Sequence, residues 1–167
     1  MICIKIVGLS KEKIKKISKL KDENDYFLNY RLNSYEKFLE LKDPDYGPKY
    51  NIDYENIIYY KNELDNLTND WNNISCSIKD EFSSLGVIDS EKHMDGMGVQ
   101  YESEMIYHNM LKELEEKNVI FTSIDDAIRK YPELVKKYFG KIVSSSDNKF
   151  AALNSCVFSG GSFIYIP

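Results

Sequence analysis

The sequence predicts a mainly α-helical domain with a few short strands, and three observations carry that prediction. Apolar residues recur at helical spacing in several separate stretches. Most of these stretches open at a residue able to cap a helix and close at glycine or proline. Only two runs read as strands, the short Val119–Phe121 and the apolar Phe163–Ile166 near the end of the chain. The second run is apolar at every position, the pattern of a strand buried on both faces, and such a strand needs neighbours to pair with. Few competing strand signals precede it, so the expectation is an orphaned first strand of a larger core.

Ser10 is positioned to cap a first helix, and Ile14, Ile17 and Leu20 then share one face. The second helix is expected from about Asp25 to Leu41. Leu28, Leu32, Tyr35 and Leu39 repeat at its period, and Phe27 and Phe38 widen the buried face. Asp43-Pro44 ends it, because a residue before proline disfavours helical geometry. DPDYGPKYNID, residues 43–53, reads as an extended connector with turns. Residues 55–73 are polar and asparagine-rich. A brief helix is expected over Ser77–Leu85, stopping at Gly86. The longest helix is expected from Val99 to Lys117, with Tyr101, Met105, Leu111 and Leu114 broadly on one side. Ser123 with Asp126 opens another helix to Lys130, Pro132 suits a first helical turn, Gly140 suits a helix end, and Asn148–Phe158 closes the series. The organisation expected is a helical pair over 1–42, a mobile connector with a short helix over 43–98, a helical region over 99–158, and the first strand of a truncated core over 159–167.

At 167 residues and 43% hydrophobic content, one core is well within reach. A net charge of -5 argues against a nucleic-acid partner, which requires clustered cations. Lys5, Lys11, Lys13, Lys15, Lys16, Lys19 and Lys21 nonetheless crowd the first segment. The apolar stripe beside them is too narrow for strong membrane insertion, so a solvated face on a packed helix is expected. The opening MICIKIVGL is interrupted by Lys5 and lacks a cleavage pattern, and no apolar run approaches the roughly 20 residues of a membrane span. Cysteines 3, 76 and 156 are odd in number and widely spaced, which indicates neither a disulfide framework nor a CxxC metal site. A reducing, cytoplasmic compartment is expected, or an organelle stroma if the gene is organelle-encoded. The richness in Ile, Asn, Lys and Tyr suggests AT-rich coding DNA.

Three constellations invite chemistry. Glu104 and His108 are four apart on the expected long helix, with Glu102 nearby in sequence and His93 the only other imidazole. A metal site needs three or four ligands, so a surface hydrogen-bonded pair is the expectation. Cys156, beside Ser155 and with Lys149 the only nearby cation, suits a small buried hydrophobe between Leu153 and Val157 better than a sulfur acceptor. Gly160-Gly161 precedes a strand rather than a helix and lacks a phosphate-loop pattern, so a tight turn using positive φ is expected. No Ser, His and acid set has the context of a nucleophile elbow. No catalytic, cofactor-binding or metal-ligating residue is assigned, and an enzyme is not expected.

Four stretches carry a family resemblance in matching order: YFLNYRLNSYEKFLEL (26–41), QYESEMIYHNMLKELEEKNVIF (100–121), YPELVKKYFG (131–140) and DNKFAALNSCVFSGGSFIYIP (147–167). Together they resemble the N-terminal portion of SufB-type scaffold subunits of the SUF iron-sulfur cluster assembly system, and the QYESE segment favours that type over the paralogous SufD. KHMDGMG (92–98) departs from the usual pattern, and Cys156 stands where alanine is common. The resemblance implies a helical domain of a SufB/SufD-type protein ending at the start of a β-helix core. It implies a scaffold that carries an iron-sulfur cluster when complete, works with the SufC ATPase and SufD, and receives sulfur from SufS with SufE or SufU. This portion would contribute folding and interaction surface and hold no cluster itself. A helical adaptor retaining the scaffold's N-terminal surface is the alternative.

Overall fold

A computed structural model describes residues 4–48, 51–62, 68–86 and 93–167. In chain order the elements are β1 (Ile4–Val7), α1 (Lys11–Leu20), α2 (Asp25–Glu40), β2 (Ile58–Asn62), a 3-10 turn at Trp71–Asn73, α3 (Cys76–Ser84), β3 (Gly96–Tyr101), β4 (Glu104–Met110), α4 (Lys112–Glu116), β5 (Ile120–Ser123), α5 (Ile124–Lys130), α6 (Pro132–Tyr138), α7 (Lys149–Val157) and β6 (Ser162–Tyr165). Among the described residues the strands form three two-stranded sheets, β1-β2, β3-β4 and β5-β6. The fold is therefore mixed rather than mainly α. Two compact units divide the chain: residues 3–61 with 125–159, here the helical unit, and residues 62–124 with 160–167, here the sheet unit.

In the helical unit, the cap expected at Ser10 is formed, and two further caps accompany it. Ser10 accepts a hydrogen bond from the Lys13 amide, and Asn24 accepts from the amides of Tyr26 and Phe27. Asn148 accepts from Phe150 and Ala151 at the start of α7. Each such bond satisfies an amide that the first helical turn would leave without a partner. Pro132 occupies the first turn of α6, and Gly140 follows that helix with φ +67°. Helix α2 packs on α7, with Phe38, Ala152 and Cys156 buried together with Ile14 of α1. Tyr30 and Phe158 pack around Phe139. Strand β1 pairs with β2, some fifty residues away in sequence, and Ile6, Ile17 and Tyr60 form a small cluster against them.

Two cations lie inside this unit. The Arg31 side chain is fully buried and forms a two-pronged ion pair with Glu23, at 2.7 and 2.6 Å. It also donates to the carbonyls of Cys156 and Phe158, and its guanidinium stacks 3.7 Å from the Phe158 ring centroid. Lys21 is buried as well, its Nζ 2.8 Å from Asp125 Oδ2. This corrects the grouping of Lys21 with a solvated lysine face.

In the sheet unit, the principal correction concerns residues 99–117. In place of one long helix there is an antiparallel hairpin, β3 with β4, followed by the single turn of α4. The reason is visible in the burial: Met97 and Val99 are buried while Gly98 and Gln100 are exposed, a period of two. Glu102, with φ +54°, turns the chain between the strands. Gly96 leaves room for a side chain of β5, since a Cβ there would lie 2.8 Å from the Phe121 ring. Ile74, Ile78, Val99, Ile106 and Tyr107 form the core, with Trp71 and Phe82 against them. Helix α3 and the positive φ of Gly86 agree with expectation.

Strand β6 exists where expected but is not orphaned. It pairs antiparallel with β5, in the register Phe121↔Ile164 and Thr122↔Phe163. Nor is it buried on both faces: Ile164 and Ile166 are 63% and 73% exposed.

Candidate functional site

Two segments marked in the sequence, QYESE and the paired glycine, meet at one place, the turn that launches β6. Gly160 and Gly161 adopt φ +65° and +102°, a region that residues with a Cβ enter only at a cost. Gln100 of β3 packs directly onto this turn. Its Oε1 accepts a hydrogen bond from the Gly161 amide at 3.0 Å, and its Nε2 donates to the carbonyl of Glu102 at 3.0 Å. On the other side, the Gly161 carbonyl accepts from the Ile124 amide at 3.0 Å. A Cβ added to Gly160 would fall 2.4 Å from Gln100 Oε1. The close fit of a side-chain amide on bare backbone requires glycine there. The glycine pair is thus a tight turn, as expected, and its work is to fix where β6 begins.

Glu104 and His108 are not brought together. They lie in one strand rather than one helix, so about 13 Å of extended chain separates their Cα atoms. The fold therefore removes both the shared-ion reading and the surface pair. The His108 ring instead meets Phe121 edge to face, with centroids 4.9 Å apart. Glu102 is in the hairpin turn, and His93 lies in the exposed turn ahead of β3. Among the described residues no group of three or more His, Cys, Asp or Glu side chains could hold a metal ion.

Cys156 is completely buried, and that burial pushes its thiol up to about 12, with Arg31 acting in the opposite sense. A thiol with so little thiolate at neutral pH is a poor nucleophile. The expected result with a thiol-directed alkylating reagent on native protein is rapid labelling of the exposed Cys76 and none of Cys156 until the chain is unfolded. Fast native labelling of Cys156 would contradict the burial. Cys3 lies outside the described residues.

Of the apolar stripe of α1, Ile14 and Ile17 are fully buried in the helical unit, while Leu20 is 39% exposed. A single part-exposed leucine is too little apolar surface for strong insertion into a bilayer. Among the described residues no helix is long and apolar enough to cross a membrane.

Comparison with known proteins bears on the same segments. Residues 45–167 match the family model described as the SufBD protein N-terminal region. This chain belongs to the SufBD family. It is 44% identical over 162 residues to an iron-sulfur cluster assembly SufBD family protein of Staphylococcus saprophyticus, covering 96% of this chain. Proteins of the same description from Staphylococcus haemolyticus and Staphylococcus aureus are each 43% identical over 96% of the chain. In all three the match covers 35% of the relative, so the chain spans about a third of the length of the curated relatives it resembles. The family match contains both Gln100 and Gly160-Gly161.

The contact between Gln100 and the glycine turn was not foreseen. Its two halves lie in separate stretches, 100–121 and 147–167, and nothing in a linear reading joins positions about 60 residues apart.

Proposed function

We propose that this chain serves as the N-terminal part of a SufB-type scaffold for iron-sulfur cluster assembly, supplying folding and interaction surface rather than cluster ligands. The observation that carries the proposal is the family match over residues 45–167, supported by relatives named for iron-sulfur cluster assembly at 43–44% identity. The QYESE segment at 100–104 favours the SufB type within the family. The cluster in this reading is the scaffold's product, built on other residues. The geometry suits such a part: Gln100 and the Ile124 amide hold the glycine turn from two sides, and the turn delivers an edge strand bearing Ile164. The partners proposed are the SufC ATPase, SufD and a sulfur donor, SufS with SufE or SufU.

Affinity capture with the tagged chain against purified SUF components tests the proposal. Retention of SufD, SufC or a sulfur donor is the expected result. Failure to retain any of them under conditions where the folded chain is intact would favour the adaptor reading and reject the scaffold role.

A further inference from the structure

Residues 51–57, which lead into β2, form neither helix nor strand, and none of them is buried. Their turn is closed on itself: Asp53 accepts hydrogen bonds from the Glu55 amide, the Asn56 amide and Asn56 Nδ2. What ties this stretch to the helices is a polar cluster around Lys149, in the first turn of α7. Lys149 Nζ lies 3.0 Å from Asp43 Oδ1 and 5.2 Å from the ring centroids of both Phe38 and Tyr54. The Tyr54 hydroxyl donates to the same Asp43 oxygen at 3.0 Å, and its ring meets Phe38 edge to face with centroids 5.1 Å apart. Hydrogen bonds from Lys149 and then Tyr54 hold the Asp43 carboxyl below its ordinary range. Burial, and then Asp43, push the Tyr54 hydroxyl up to about 12, so it stays a donor at neutral pH. An ammonium set over two rings and beside a carboxylate is held by both attractions together. Arg31–Glu23 and Lys21–Asp125 are sealed inside the unit, whereas the side chains of Lys149 and Asp43 are 18% and 60% exposed.

We propose that Lys149 is the catch of a strap: residues 51–57 lift away when the charge of the catch is removed, while α2 and α7 stay folded. The strap covers apolar surface. Tyr54 and Tyr59 pack against the cluster that contains Phe38, Ala152 and Cys156, and the Tyr59 hydroxyl donates to the Tyr54 carbonyl at 3.0 Å, so the two tyrosines are tied together. At the far end of the strap the Ile57 carbonyl accepts from the Gly8 amide at 2.9 Å. A segment without a buried residue, fastened by groups at the surface, belongs to the low-stability end of a fold, where local opening precedes global unfolding. The inference concerns the helical unit alone and is independent of the cluster-assembly reading.

Alkylation of Cys156 in the native full chain, read beside the urea midpoint of the same protein, tests it. Lys149→Met keeps an unbranched side chain over the two rings and removes the charge. Its Cys156 should be labelled at least about tenfold faster than the residual rate of the parent, with the urea midpoint unchanged. Tyr54→Phe, which removes only the hydroxyl, should act in the same direction. Lys149→Arg, which keeps the charge, should be labelled at the parent's rate. The Gly8 amide, bonded to the strap through Ile57, should lose protection from hydrogen exchange in Lys149→Met and keep it in Lys149→Arg. Unchanged labelling of Cys156 in Lys149→Met overturns the proposal. So does faster labelling that only follows a fall in the urea midpoint, because the thiol would then be reached by unfolding of the helices.

Discussion

Replacement of Arg31 by methionine should destabilise the helical unit by about 3–5 kcal/mol, the range for removing one partner of a buried ion pair. The variant leaves Glu23 with its side chain 1% exposed and without its counter-charge. It also strips a donor from the carbonyls of Cys156 and Phe158, and an unmet buried carbonyl costs about 1–3 kcal/mol. Arg31→Lys should not rescue it, because an ammonium lacks the planar fork that spans both Glu23 oxygens while reaching two carbonyls. Removing both charges, Arg31→Met with Glu23→Met, should recover much of the loss, since two apolar side chains leave no buried charge unpaired. The measurement is the urea midpoint of each variant, followed by far-UV circular dichroism. If Arg31→Met unfolds at the same midpoint as the parent, the pair is not buried in solution.

Gly160→Ala should be the next most damaging change, at about 2–4 kcal/mol, combining a left-handed backbone conformation with an overpacked contact. The backbone contribution can be isolated at Gly86, where φ is +71° and a Cβ would meet nothing within 4 Å. Gly86→Ala should therefore cost only the conformational part, about 1 kcal/mol. The difference between the two glycines belongs to Gln100. Its side chain is held at both ends, by the Gly161 amide and the Glu102 carbonyl, so it cannot swing clear without losing those bonds. A double-mutant cycle of Gly160→Ala with Gln100→Ala should show a coupling of about 1–2 kcal/mol, the second change relieving the first. Strict additivity would show that Gln100 does not occupy the turn.

How far the sequence went differs between elements for physical reasons. Helix α1 was legible from the Ser10 cap, a preference that is local, and α2 and α7 from apolar residues recurring at helical spacing, although Asn24 and Asn148 also cap them. Strand β5 was legible from a short apolar run. The hairpin over 96–110 was not, because Tyr101 and Met105 fall four apart and imitate a helical face, while the alternation that produces the strands is only a few residues long in each arm. The β1-β2 pair was missed because its partners are fifty residues apart and β2 lies in a polar stretch. Buried Lys21 and Arg31 could not be foreseen. A lysine among six others reads as solvated, and only the tertiary approach of Asp125, or of the end of α7, gives a cation reason to leave water.

The candidate site shows the same division. The glycine turn was recognised, and QYESE and the final twenty-one residues both fall in stretches that carry the family resemblance. That they touch, through Gln100 and Gly161, is a property of the fold alone. The expected apolar strand was present, but its burial was overestimated, since β5 gives it a partner and leaves Ile164 and Ile166 facing water.

The scaffold role is tested most directly by transplantation. Residues 1–167 would replace the matched N-terminal region of the Staphylococcus aureus relative, and the chimera would be co-expressed with the remaining SUF components. If this chain supplies the N-terminal surface of a cluster scaffold, the purified chimera should carry iron and sulfide in amounts comparable to the unaltered relative. A chimera that folds and is expressed but acquires no cluster would contradict the account.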